Sequence, residues 1–188
     1  IIRGGGSVGG NRAGGGPRGK YFDKVGREDG LFGCSSWEEA ESTLQKDDLS
    51  IAMEKAVISR EKLRLIYAGD LLAQTIASSF GIMGFHRPVY GLYGACATMG
   101  EALSLASMAV AGGYGEYVGA VTSSHFCSAE KEFRFPLGYG SQRPLSATWT
   151  VTGSGACILG TRKSHARITG ITTGKLVAYG LKVSFNLG

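Results

Sequence analysis

The sequence predicts an α/β domain built on a mostly parallel, mixed sheet with helices on both faces. Three apolar runs have the length and composition of buried strands, at residues 63–68, 88–93 and 117–122. Helical patterns separate them, over residues 72–83 and 97–111. Strands and helices that alternate in this order favour right-handed crossovers and parallel pairing. A chain of 188 residues is long enough to bury one such core.

A further helix is predicted before the first of these strands. Residues 35–39 (Ser-Ser-Trp-Glu-Glu) contain two overlapping capping boxes, which mark a helix start. Apolar residues then share one helical face on either side of Asp47-Asp48, so the pattern indicates one bent helix or two in series. After residue 122, short strands are predicted at 147–152, 156–160 and 167–173.

The amino terminus differs in composition from the rest. Residues 1–20 are nearly half glycine, and we predict a flexible arm there, followed by the folded domain at 21–188. Gly4-x-Gly6-x-x-Gly9 formally matches a dinucleotide fingerprint. Because no apolar helical pattern follows Gly9, we expect no dinucleotide site and no other cofactor.

The net charge of +5 is distributed in blocks along the chain. Residues 1–27 carry +5, residues 28–132 carry −7, and residues 133–188 carry +7 without any acidic residue. One interpretation is that the charged residues form solvated faces and a basic amino terminus. The other is that the third block, residues 133–188, helps to hold an anion. No recognition-helix or RNA-binding motif accompanies the charge, so we expect no nucleic-acid partner.

The four cysteines lie at wide, irregular spacings, at Cys34, Cys96, Cys127 and Cys157. The sequence has no CxxC pair, so we expect neither a metal site nor a disulfide framework, and reduced thiols in a cytosolic-type compartment. No run approaches the roughly 20 apolar residues of a membrane span, and the first residues lack the order of a signal peptide. We therefore expect a soluble chain.

A small-residue turn carries Cys96 between the second strand, which we expect at the centre of the sheet, and the helix that follows it. Gly94 and Ala95 allow a sharp turn, so that the thiol would stand clear of the carboxyl edge of the sheet. A helix amino terminus at this point favours a negatively charged thiolate. The same residues also fit a small buried hydrophobic side chain, the commonest role of a free cysteine. The local pattern leaves both interpretations open.

Several motifs together resemble a known family. Gly94-Ala95-Cys96-Ala97-Thr98 is similar to the nucleophile turn of the thiolase and ketoacyl-synthase superfamily. In one order, the runs LYGACAT, AVTSSHF, AEKEFRFPLGYGSQRP and WTVTGSGA resemble the stage V sporulation protein AD family of spore-forming bacteria. The similarity starts near residues 22–24 and continues to the end of the chain.

The resemblance implies a thiolase-like fold of two similar halves, with residues 21–188 as the amino-terminal half and the carboxyl-terminal half absent. It implies binding of dipicolinic acid, alone or with calcium, for its uptake into the developing spore. It also implies a homodimer when full length and contacts with other channel proteins of the spore membrane. The expected location is the cytoplasm of the sporulating cell or forespore, or the periphery of the inner spore membrane.

Two candidate site residues follow from this comparison. Cys96 occupies the nucleophile-like position, and His125, after the third predicted strand, is expected to face the same pocket. The family is not known as a set of working condensing enzymes. Condensing enzymes take their catalytic His, and a further Asn or His, from the second half. The alternatives are an acyl-transfer enzyme with Cys96 as nucleophile, and a truncated product without function.

Four further residues are candidates from their chemistry and position. Arg134 and Arg143 lie in the basic third block, and a guanidinium fork binds both oxygens of a carboxylate. Asp70 and Gln74 follow the carboxyl end of the first predicted strand, where ligands of α/β sheets collect. We therefore expect a binding site for a small aromatic dicarboxylate at this edge of the sheet.

Overall fold

A computed structural model describes residues 1–26, 30–128, 151–177 and 180 of the chain. The strands are β1 (Ile2–Gly9), β2 (Lys24–Val25), β3 (Leu63–Gly69), β4 (Val89–Leu92), β5 (Tyr117–Ser124) and β6 (Gly153–Gly160). The helices are α1 (Asn11–Gly14), α2 (Trp37–Ala56), α3 (Ile76–Met83) and α4 (Thr98–Ala111).

The strands form one six-stranded sheet in the order β2-β1-β6-β5-β3-β4. Strand β3 pairs in parallel with both β4 and β5, as the alternation of strands and helices predicts. Strand β6 runs antiparallel to both of its neighbours, β1 and β5, and makes the sheet mixed. The predicted fold class, an α/β domain with a mostly parallel mixed sheet, is therefore confirmed.

Helices cover both faces of this sheet. On one face, Leu49 of α2 and Ile82 near the end of α3 pack on Ile66 and Val121. On the other face, the small residues of α4 pack on alternate residues of β3, β5 and β6. Successive strand residues point to opposite faces of the sheet. The side chains on both faces are buried here because helices cover both, which is typical of a sheet between two helical layers.

The structure corrects the expectation of a flexible arm over residues 1–20. Residues 2–9 form β1, which pairs with β6 along its length and with β2 at its end. The glycines are required by packing, since a Cβ atom on Gly4 would lie 2.3 Å from the carbonyl oxygen of Ala52 in α2. A strand with glycine at inward positions lacks the apolar alternation of an ordinary strand. Its composition is therefore the same as that of a flexible segment.

The start of α2 follows the predicted cap. The Ser36 hydroxyl accepts a hydrogen bond from the Glu39 N–H at 3.2 Å, and the Glu39 carboxylate accepts one from the Ser35 N–H at 2.9 Å. Hydrogen bonding by Ser35 holds the pKa of the Glu39 carboxyl below its usual value. From this cap α2 continues as one helix to Ala56, rather than as two helices in series.

Two other expectations differ from the structure. The strand before Cys96, β4, lies at the end of the sheet rather than at its centre, and Tyr90 and Tyr93 beside that edge are 58% and 62% exposed. Within the described residues, 167–173 form no strand, and the bridge next to them joins Ala166 to Ile2. The strand predicted at 147–152 falls largely outside the described residues.

None of the helices within the described ranges is both long and apolar enough to cross a membrane.

The close contact between β1 and α2 gives the first prediction. Gly4→Ala should lower the free energy of unfolding by about 1–3 kcal/mol, the usual effect of overpacking a tight core. Gly5→Ala is the matched control, because a Cβ atom there would meet its nearest neighbour, the Ala156 carbonyl oxygen, at an ordinary 3.7 Å. Urea titration of the two variants measures both values. Equal stabilities would show that residues 2–9 are not packed under α2.

Candidate functional site

Cys96 lies in a sharp turn at the carboxyl end of β4. Residues Ala95–Ala97 form a single 3-10 turn that leads into α4, and the Cys96 side chain is exposed. Ala95 has a φ of 48°, a left-handed conformation that costs energy for any residue with a side chain. Thr98 holds the turn together, since its hydroxyl donates to the Ala95 carbonyl at 2.7 Å and accepts from the Gly94 N–H at 3.1 Å.

A second strained turn lies next to this one, after β3. Gln74 and Thr75 have φ values of 59° and 50°, and Gln74 is exposed. The turn packs over β4, because a Cβ atom on Gly91 would lie 2.8 Å from the Thr75 hydroxyl. Strained backbone of this kind clusters at functional sites. The turns that carry Gln74 and Cys96 therefore lie side by side at one edge of the sheet.

Asp70 has a structural role in this region. Its carboxylate is 1% exposed and accepts hydrogen bonds from the Leu72 N–H at 2.8 Å and the Ser78 N–H at 2.8 Å. The Ser78 hydroxyl donates a third bond at 2.6 Å. The carboxylate is thus turned into the protein and anchors the strained turn and the start of α3. It is not positioned to meet a ligand.

His125 is also buried and bonded on both ring nitrogens. Nδ1 accepts from the Cys127 N–H at 3.1 Å, so the proton of a neutral ring lies on Nε2, which donates to the Gly30 carbonyl at 2.7 Å. The ring packs against Trp37 with 5.4 Å between centroids. A ligand could contact Nε2 only by replacing the Gly30 bond.

Cys96 and His125 share an edge of the sheet without sharing an open pocket. Leu92 at the end of β4 and Thr122 near the end of β5 both pair with Gly69 of β3, so the two strands flank β3. Two strand spacings correspond to about 10 Å. The thiol is exposed whereas the imidazole is 2% exposed. Arg134 and Arg143, the predicted anion contacts, lie outside the described residues.

A buried polar network beneath this edge was not predicted from the sequence. The Gln45 amide nitrogen lies 2.9 Å from the Gly69 carbonyl, 2.9 Å from the Ser78 hydroxyl and 2.8 Å from the Ser123 hydroxyl. The Ser123 hydroxyl in turn donates to the Glu41 carboxylate at 2.8 Å. Through Ser78 and Ser123, α2 connects the buried carboxylates of Asp70 and Glu41.

The signal for this network was present in the sequence of α2. Glu41, Gln45 and Asp48 recur at helical spacing within the buried face of the helix, and all three are 0% exposed. Polar residues on an apolar helical face require buried hydrogen-bond partners. The hydroxyls at the end of β5 and the start of α3 supply them for Glu41 and for the amide nitrogen of Gln45. The Gln45 amide oxygen has no partner among the described residues.

A surface groove lies apart from the predicted site residues. It has a volume of 410 Å³ and lies between α2 and α3, lined by residues that include Thr43, Lys46 and Phe80. None of the predicted site residues lines it. Within the described ranges there is no cluster of three or more His, Cys, Asp or Glu side chains that could hold a metal ion.

Comparison with known sequences identifies relatives of the whole chain. Residues 1–188 match the family described as Stage V sporulation protein AD. The chain is 36% identical over 190 residues to Stage V sporulation protein AD of Bacillus subtilis (strain 168). The match covers 100% of this chain and 55% of that protein, so the chain spans about half the length of its relative.

Comparison with solved structures identifies the fold. The priming β-ketosynthase of the R1128 polyketide pathway superposes with a TM-score of 0.58 at 18% identity, over 86% of this chain and 49% of that one. The 3-oxoacyl-[acyl-carrier-protein] synthase III of Aquifex aeolicus VF5 gives 0.58 at 15% identity, over 87% and 54%. At these identities the likeness establishes a thiolase-like fold and nothing about activity.

The network around Gln45 gives the second prediction. Gln45→Glu keeps the shape of the side chain but replaces a donor by an acceptor, and it adds a carboxylate between Glu41 and Asp70. An unpaired buried charge should lower the free energy of unfolding at pH 7 by about 3 kcal/mol or more.

Gln74→Glu is the matched control, because it makes the same change at an exposed position and should alter stability by less than about 0.5 kcal/mol. Urea titrations at pH 7 compare the two. A Gln45→Glu protein as stable as the control would contradict the network.

Proposed function

Because the chain belongs to the stage V sporulation protein AD family, we propose that it is part of a thiolase-fold protein that binds dipicolinic acid for its uptake into the developing spore. The observation that carries this proposal is the exposed Cys96 turn at the carboxyl edge of the sheet. Ligands of α/β sheets collect at such an edge. Here the thiol lines a binding surface and is not a nucleophile.

The backbone at this edge supports binding of an anion. Helix α4 begins here, directly after the Cys96 turn. The start of α3 is already occupied by a carboxylate, since Asp70 accepts from the Ser78 N–H. The helix dipole favours negative charge at the start of α4. Dipicolinate carries two carboxylates on a flat aromatic ring, so the start of α4 suits the charge of one of them.

The positive charge that a dianion requires comes, in this proposal, from the basic third block. Residues 133–188 contain seven Lys or Arg residues and no acidic residue. Arg134 is assigned to the ligand, because its fork binds both oxygens of one carboxylate. Arg143 is assigned a weaker contact with the same anion. His125 joins them only if its bond to Gly30 opens.

The alternative function is acyl transfer with Cys96 as nucleophile. It is favoured only by the fold shared with the condensing enzymes. Acyl transfer requires a general base and an oxyanion hole around the thiolate. In the described part of the chain, the histidine nearest along the sheet edge, His125, has both ring nitrogens bonded.

The proposal includes partners of the full-length protein. The exposed side chains of Val89, Tyr90 and Tyr93 along the outer strand β4 support assembly into a homodimer. Other channel proteins of the spore membrane, and calcium bound with dipicolinate, follow from the family alone. The proposed location is the cytoplasm of the sporulating cell or forespore, or the surface of the inner spore membrane.

The third prediction tests whether the protein binds dipicolinate through Arg134. In the full-length protein that carries this chain, Arg134→Ala should weaken dipicolinate binding about tenfold or more, since a charge-assisted hydrogen bond contributes roughly 1.5–3 kcal/mol. Arg134→Lys should recover part of the affinity, because it keeps the charge but loses the fork. Cys96→Ala should have a smaller effect. Calorimetric titration measures each affinity.

Arg162→Ala is the control, because Arg162 pairs with Glu116 on the surface and its removal should leave the affinity unchanged. Unchanged affinity in Arg134→Ala would exclude that arginine from the site. No binding of dipicolinate to the wild type would exclude the proposed function. Intact-mass detection of an acyl group on Cys96 after incubation with acyl-CoA would support the alternative instead.

A further inference from the structure

Asp48 is a buried carboxyl group without a hydrogen-bond donor. It lies on the face of α2 that packs against the sheet and is 0% exposed. Neither carboxylate oxygen has a partner among the described residues. The fold makes room for it at Gly6 of β1, where a Cβ atom would lie 2.3 Å from Oδ1. An ionised carboxylate in such a place is strongly disfavoured.

The charged and titratable groups around Asp48 come from each element packed against it. Asp47 and Lys55 lie on α2, Asp23 directly precedes β2, and Cys157 lies on β6. Lys55 already pairs with Asp23, and Lys24 of β2 pairs with Asp47. Both lysines near this contact are therefore paired with other carboxylates, and the remaining neighbours add negative charge or none.

The Ser154 hydroxyl on β6, which lies near Asp48, has only one proton to donate. It already donates to the Thr122 carbonyl of β5 at 3.0 Å. Burial raises the pKa of Asp48 to about 7, although the nearby Ser154 hydroxyl acts in the opposite direction. A protonated Asp48 can donate to the Ser154 oxygen and leave the bond to Thr122 intact, whereas an ionised Asp48 competes for that proton.

We propose that Asp48 is a proton-dependent latch that holds α2 against strands β1 and β6 when it is protonated and loosens this contact when it is ionised. The protonated side chain completes a chain of hydrogen bonds from α2 through Ser154 to β5. Ionisation breaks the Ser154 bond or draws water between α2 and β1. Because α2 also carries Gln45 and Glu41, loosening of this contact also affects the sheet edge that holds Cys96. It requires no ligand and stands apart from the proposed function.

The direction of the pH effect on stability follows from the pKa of Asp48 in the unfolded and in the folded chain. The carboxyl has an ordinary pKa of 3.8 when unfolded and about 7 when folded. Between these values the folded chain binds the additional proton, so stability is greatest at low pH and falls as the pH rises towards 7. Between pH 5.5 and pH 8.0 the folding equilibrium constant should fall about 30-fold through this group alone.

The fourth prediction tests the latch by comparing urea unfolding of the chain at pH 5.5 and pH 8.0. Asp48→Asn keeps a neutral donor at both values, so the wild type should lose about 30-fold more in the folding equilibrium constant than this variant. Glu54→Gln, at an exposed position of the same helix, should retain the wild-type dependence, because Glu54 is not among the groups that act on Asp48. Titration of groups common to all three proteins cancels in the comparison.

Hydrogen exchange of the wild type, followed by mass spectrometry and corrected for the intrinsic effect of pH, gives an independent reading. The peptides covering β1 and α2 should lose protection at pH 8.0 more than the peptide covering α4, which packs on the other face. The same pH dependence in Asp48→Asn as in the wild type would overturn the proposal. If that variant does not fold, equal protection of β1 at both pH values would overturn it.

Discussion

The architecture depends on how closely α2 approaches the sheet. At two positions of β1, Gly4 and Gly6, a side chain would collide with α2, so the helix and the strand are fitted to one another. This contact brings the glycine-rich amino terminus into the sheet. It also fixes the height and rotation of α2, and hence places Glu41 and Gln45 under the carboxyl ends of β3 and β5.

Much of the fold was predictable because its strands and helices carry local patterns. Strands β3, β4 and β5 are apolar runs, and the start of α2 is marked by its capping residues. Strand β1 was not predictable in this way, since glycine contributes no alternation and the need for it arises from a helix some forty residues away. The edge position of β4 depends on strand order, which no local pattern encodes.

The candidate site, like the fold, was predictable from the sequence only in part. The turn around Cys96 was recognisable because sharp turns require small residues, and the structure adds the strain at Ala95. The inward direction of Asp70 and the bonds of His125 depend on partners from other elements, such as Ser78 and Gly30. Hydrogen bonds between distant segments therefore decide which candidate side chains are exposed to a ligand, and residue type alone does not.

The proposed function requires that the edge carrying Cys96 binds dipicolinate and does not perform catalysis. The most direct test is the rate at which iodoacetamide alkylates Cys96 in the full-length protein, with and without saturating dipicolinate, read by peptide mass spectrometry. If dipicolinate binds at this edge, it should slow alkylation of Cys96 and leave the rate at Cys34, on the α2 side of the fold, unchanged. An unchanged rate at Cys96 in a sample that binds dipicolinate by calorimetry would contradict it.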